Sequence, residues 1–252
     1  MKGFFMKKFL MAVAIIVVMT TMAHGQQVVL APGRVPGVEG YLPVVVAGDG
    51  NQTTLLVRGP AGTAKKVGFD LFDQDGQASQ LLVNGEPAVL FVAVTNPMTG
   101  KVVTELTWSG QFKVVWVKVT QPLNINGVPE TSVSMALQKV IGAGVVPFAA
   151  DLAPVEATKV ATFYGGKRTG LAFCNPNDTT VTISITREGA EVVTKNLAPK
   201  AQVSLFLGEL FSKFSSGVEF IRIDSSLPVA VMPLVTDGEN FFTLSVDRVR
   251  GN

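Results

Sequence analysis

The sequence predicts an all-β chain, two tandem Ig-like antiparallel β-sandwich domains behind a cleaved signal peptide. Three features carry that expectation. Short β-branched runs alternate apolar and polar residues between Gly, Pro, Asn and Asp, the spacing of a sandwich. The two halves of the chain repeat one order of segments. Residues 1–25 follow the plan of an export signal.

Lys2, Lys7 and Lys8 give the signal its basic start, Phe9 to Val18 its apolar run, and Ala23 and Gly25 its small residues ahead of Gln26. That is the layout of a secretory leader. The rival is an uncleaved anchor. The run ends by Ala23 and contains Thr20 and Thr21, which is short for a bilayer span of about 20 residues. No later stretch is long and apolar enough, so no transmembrane span is expected in the mature chain. Three of the 21 basic residues and none of the 19 acidic ones lie in the leader. The net charge of +2 therefore belongs to the leader, and no nucleic-acid partner is expected.

Hydrophobic residues make up 47% of the 252 residues and charged residues 16%, so apolar side chains suffice for real cores and the disorder signature is absent. Residues 26–39 read as a flexible arm containing Pro and Gly. Residues 40–142 form the first sandwich, 143–157 the linker, centred on 147–154, and 158–250 the second sandwich.

The strands are read from period-two alternation. Val181, Ile183 and Ile185 point one way while Thr182, Ser184 and Thr186 point the other. Val67, Phe69 and Leu71 oppose Gly68 and Asp70; Val115, Val117 and Val119 oppose Lys118; Ile221 and Ile223 point inward. Leu207 to Phe211 hints at a single helical turn, and Ser134 to Val140 reads equally as helix or strand. The halves match in order: Thr54 to Pro60 with Gly170 to Pro176, the strands at Val67 and Val181, and Trp116 to Thr120 with Phe220 to Asp224. Several matches in one order point to duplication.

Segment 165–176, GGKRTGLAFCNP, resembles the "TGLAxxNP" strand of uncharacterised Ig-like β-sandwich repeat modules in secreted and surface proteins of environmental bacteria. Leu197-Ala198-Pro199 resembles their "LxP" turn, Phe206 to Phe211 their "FLxELF" segment, Ser225 to Ala230 their "SxxPVA" strand start, and Phe242 to Val246 their closing "FTTLPV". Residues 40–142 are similar to the divergent module that precedes it, with Gly59-Pro60 in place of Asn-Pro and no "ELF" segment. The resemblance implies fold and export and adds no site.

The residues also exclude chemistries. The sole histidine, His24, leaves with the leader, so no imidazole remains for Ser-His-Asp or Cys-His catalysis, nor for ordinary zinc sites. The sole cysteine, Cys174, cannot form an intrachain disulfide; it reads as a buried structural thiol rather than an intermolecular link. Gly165 to Thr169 departs from a phosphate loop at Ala161 and Arg168 and reads as a turn between strands. Asp70, Asp73 and Asp75 before Gly76 have oxygen ligands at a calcium-like spacing but lack the closing acid; a tight Asp-Gly turn is the plainer reading. No catalytic, cofactor-binding or metal residue is assigned, and no cofactor is expected. Asn175-Pro176 reads as a strand end, and Phe206, Leu210 and Phe211 as core.

The function expected is an exported, non-enzymatic structural, adhesive or protein-binding module, secreted, periplasmic or on the cell surface, with an unknown protein or glycan as partner. Three alternatives stand beside it. A carbohydrate binder needs clustered exposed aromatics, for which Trp108, Trp116, Tyr41 and Tyr164 are the candidates. A carboxylate hydrolase needs two acids within about 10 Å in a cleft. A surface assembly would pair subunits through sheet edges.

Overall fold

The computed structural model describes residues 27–29, 35–187, 191–211, 214, 217–237 and 240–248. The leader expected at 1–25 lies outside the described residues. The first half carries β1 (Gln27–Val29), β2 (Val38–Ala47), β3 (Asn51–Arg58), β4 (Lys66–Phe72), β5 (Leu81–Val83), β6 (Glu86–Ala88), β7 (Leu90–Val94), β8 (Lys101–Thr107), β9 (Lys113–Gln121), β10 (Ser132–Ile141) and β11 (Gly144–Leu152). The second carries β12 (Thr158–Gly165), β13 (Thr169–Cys174), β14 (Val181–Arg187), β15 (Glu191–Leu197), β16 (Gln202–Phe206), a helical turn α1 (Leu207–Leu210), β17 (Glu219–Thr236), β18 (Phe241–Thr243) and β19 (Asp247–Arg248).

The fold is all-β. One sheet is five-stranded and antiparallel, in the order β1-β7-β4-β9-β2. The other has 14 strands and is mixed, because β11 runs parallel to β18. Its pivot is β17, 18 residues long. The first part of β17 pairs with β12 and β14, the last part with β13 and β18.

The two halves share one pairing scheme. β9 lies between β2 and β4, as the start of β17 lies between β12 and β14. β10 joins β3 and β11, as the end of β17 joins β13 and β18. β7 flanks β4 and β8 flanks β3, as β15 flanks β14 and β16 flanks β13.

Alternation decides what is buried. Val67, Phe69, Leu71, Val115, Val117 and Val119 enter one cluster with Leu42, Leu55 and Phe91. Val181, Ile183, Ile185, Ile221 and Ile223 enter another with Phe163, Phe173 and Phe211. Each fully buried aliphatic or aromatic side chain contributes about 1.5–3 kcal/mol. Met232 and Leu234, near the end of β17, pack into the first cluster rather than the second. A third cluster joins the halves, with Tyr41 and Trp116 from the first and Cys174 and Ala230 from the second.

Several expectations need adjusting. The stretch read as a linker is largely β11, paired along β10. Pro147 is accommodated because it sits at a register shift on a strand whose other side meets β18 only at Ala149–Phe241, and proline is tolerated at such edges. The remaining connection is pinned by two hydrogen bonds between Tyr41 and Val155, of 2.9 and 2.8 Å. The arm contains β1, which adds to the edge of β7, and the start of β2. Ser134 to Val140 is strand, inside β10. α1 is the single turn expected, but of the "ELF" segment only Leu207 and Phe211 are buried; Phe206 is 36% exposed on the outer side of β16.

Candidate binding groove

The outer face of the five-stranded sheet holds every second residue of its strands, and register lines them up in rows. One row runs Glu39, Thr120, Gly68, Val92. The next runs Tyr41, Lys118, Asp70, Leu90. Beyond it Trp116 stands opposite Phe72. Among the described residues, the second half covers this last row together with Tyr41 and does not reach the rest of the other two rows.

The covered end is a sealed junction. Trp116 stacks on Phe72 with ring centroids 4.3 Å apart, and its Nε1 donates to the Lys200 carbonyl at 2.7 Å. The Gln202 amide donates to the Gln74 carbonyl at 3.0 Å. Gly76 is required here twice over: its φ is +83°, and a Cβ would lie 2.6 Å from the Pro199 carbonyl oxygen. Cys174 is 0% exposed in this junction, and burial pushes its thiol pKa well up.

The open end is a groove of about 800 Å³, walled by Val35, Pro36 and Gly37 on one side and by Leu90 and Val92 on the other. Gly68 forms its floor: a Cβ there would meet Val35 and Thr120 side chains only at ordinary contact distance, 3.6 Å and beyond. Lys118 is the groove's central charge. Its Nζ lies 3.1 Å from Asp70 Oδ2 and 3.4 Å from Glu39 Oε1. Burial alone lowers the Lys118 pKa, but Asp70 and then Glu39 outweigh it, so the ammonium is held above its ordinary value. The Tyr41 hydroxyl donates to Glu39 Oε2 at 2.9 Å. Burial first, and this bond second, raise the Tyr41 phenol above its usual range.

Chemically, the groove offers apolar walls and a charged ridge. Glu39 and Asp70 fall inside the separation a carboxylate hydrolase needs, since both reach one ammonium. That ammonium engages both carboxylates.

The sequence-level candidates fall in different places. Asp70 joins Lys118 in the groove. Asp73 is separate: its Oδ1 accepts the backbone N–H groups of Asp75 at 3.0 Å and Gln77 at 2.8 Å, closing the turn that docks on the Lys200 loop. Among the described residues no group of three His, Cys, Asp or Glu side chains is gathered at one point. Residues 165–169 form a turn, with Thr169 donating its amide to the Gly166 carbonyl at 2.9 Å. Asn175 does more than end a strand. Its Nδ2 donates to the carbonyls of Thr179, Leu197 and Ala198, and its Oδ1 accepts the Asn177 amide.

The four aromatics do not form one surface. Tyr41 and Trp116 are buried in the junction. Trp108 is half-buried under Lys113, whose Nζ lies 4.7 Å from the ring centroid. Tyr164 is 65% exposed and meets Phe220 edge-on at 5.6 Å. That pair shares the outer face of β12, β17 and β14 with Thr162, Arg222 and Thr186, aligned in one row.

Glu39 and Lys118 were not singled out as site residues by the sequence. Their only signal is outward placement, and Lys118 meets Asp70 only once β4 is known to pair with β9. Among the described residues no helix is long and apolar enough to cross a membrane. Comparison with family models, with curated proteins and with solved structures finds no match to this chain.

Proposed function

We propose that the protein is an exported, non-enzymatic binding module of two tandem Ig-like sandwiches, and that it holds a protein segment at the cell envelope or surface in the groove over Gly68. The observation that carries this reading is the division of one sheet face into a sealed end and an open one. The recess of about 800 Å³ lies beside a buried junction, and its volume falls in the range of ligand sites. Apolar walls with a few convergent polar groups also fit that class. The shared pairing scheme supports the duplicated-domain reading, and the leader-like residues 1–25 support export to the periplasm, surface or medium.

The test is capture of envelope proteins by the chain and by its Gly68→Phe variant. Phe at this position drives a ring into the recess against Val35, whose Cγ2 already lies 3.6 Å from a Cβ placed there. A partner retained by the wild type and lost by the variant, with both equally stable, supports the reading. Identical partner sets, or none, contradict it.

A second reading is favoured by one observation, the exposed Tyr164 against Phe220 beside Thr162, Arg222 and Thr186. An aromatic ring flanked by hydroxyl and guanidinium groups suits a glycan. Binding on a glycan array that disappears in Tyr164→Ala would favour it, and an array without signal would remove it.

A further inference from the structure

We propose that the tip of the β10–β11 hairpin, with Phe112 beside it, seats the protein on the surface of a lipid bilayer. Lys139 is the last residue of β10 paired with β3, opposite Asn51. Beyond it, among the described residues, the hairpin strands pair with each other, Val140 with Val145 and Ile141 with Gly144, while Val146 pairs with Lys139. Opposed residues share a face, so Val140 and Val145 cover one side of the ribbon and Ile141 and Val146 the other. All four are exposed, at 41, 46, 59 and 51%. An apolar ribbon solvated on both sides is a liability that natural proteins avoid unless it is used.

Three properties indicate lipid rather than a protein receptor. The tip is apolar and exposed on both faces, so a fluid medium can surround it without a matching cavity. From Lys139 to the turn it projects about 10 Å, close to the depth to which interfacial apolar groups enter a bilayer. Its charge also fits an anionic surface. Residues 131–150 contain no acid, and Lys139 stands at the base. The neighbouring turn links a second apolar group to the same end. Gly50 accepts the Val140 amide at 2.7 Å, and Asp49 donates to the Gly110 carbonyl at 3.1 Å. Phe112 follows, 52% exposed, with Lys113 next to it. Asp49 is an acid of this end, in the turn between them, and Asp237 lies in the turn that leads into β18 beside β11.

The test uses an environment-sensitive fluorophore at position 143, introduced as Ala143→Cys; Cys174 is fully buried and escapes labelling. The probes are vesicles of phosphatidylcholine alone and of phosphatidylcholine mixed with phosphatidylglycerol. The proposal expects a blue shift and quenching by brominated lipid, stronger on the anionic vesicles. Ile141→Asp and Val145→Asp should each weaken vesicle binding by about tenfold or more while keeping the wild-type circular dichroism spectrum. Gly68→Phe should bind vesicles as the wild type does, since the groove plays no part. Emission unchanged by either vesicle overturns the proposal. So does a blue shift that grows with protein concentration in the absence of lipid, which would assign the tip to a second copy of the chain.

Discussion

Replacing Trp116 by Phe probes how firmly the two halves are joined. The ring is 1% exposed, stacks on Phe72 at 4.3 Å and donates to Lys200 at 2.7 Å. Phenylalanine keeps the stack but loses the donor. A hydrogen bond of this kind contributes about 1 kcal/mol net, and a carbonyl left without a partner in a partly buried site costs about 1 kcal/mol more. The smaller ring adds a void, so the loss should total roughly 2–3 kcal/mol. In urea, followed by far-ultraviolet circular dichroism, the midpoint should fall by roughly 1 M. Cys174 gives an independent readout, because its sulfur lies in the same cluster. It should resist thiol reagents in the native wild type and react on the order of 30-fold faster in the variant, if reaction follows local opening of the junction. An unchanged midpoint together with an unchanged thiol rate would refute the assignment of Trp116 as the bolt between the halves.

Asn175→Ala removes donors to three carbonyls and the acceptor for Asn177 and should cost about 2–4 kcal/mol in urea denaturation; Asn175→Asp should be worse, because it sets a carboxylate against those carbonyls. Gly76→Ala forces a side chain into φ +83° and against the Pro199 carbonyl, and its melting curve should show a loss of about 2 kcal/mol or more. Alkaline pH should weaken the fold. Burial and the Glu39 bond keep the Tyr41 proton on in the folded state, so the unfolded chain loses it first once pH passes 10.0, and stability present below that value declines above it. Lys118 acts in the same direction above 10.5, since Asp70 and Glu39 raise its folded-state value despite burial. Urea titrations up to about pH 11 should therefore show a shallower decline in Tyr41→Phe than in the wild type; an equal slope would contradict the assignment.

Much of the strand content was legible because alternation is a local property. Val181, Ile183 and Ile185, and likewise Val67, Phe69 and Leu71, are buried where period two places them. The Leu207 turn was legible from its short apolar cluster for the same reason. What failed was non-local. Gly144 to Leu152 looks like a connection because of Pro147, and becomes a strand only through its pairing with β10. Phe206 looks like core, but its alternation places it outward opposite Gly170, where no side chain competes for the space. Trp116 and Tyr41 are far apart in sequence and meet only because β2 and β9 are neighbours. The groove was illegible for the same reason. Lys118, Asp70 and Glu39 come from three strands, and each alone reads as an ordinary solvated charge.

Site-specific photocrosslinking in living cells addresses the groove most directly. A photoreactive residue at Thr120 or Leu90, inside the recess, should capture one discrete partner from the cell envelope. The same group at Thr186, on the outer face of β14 in the other half, should not. Equal labelling from both faces, or no adduct from either groove position in cells that export the protein, would contradict the account.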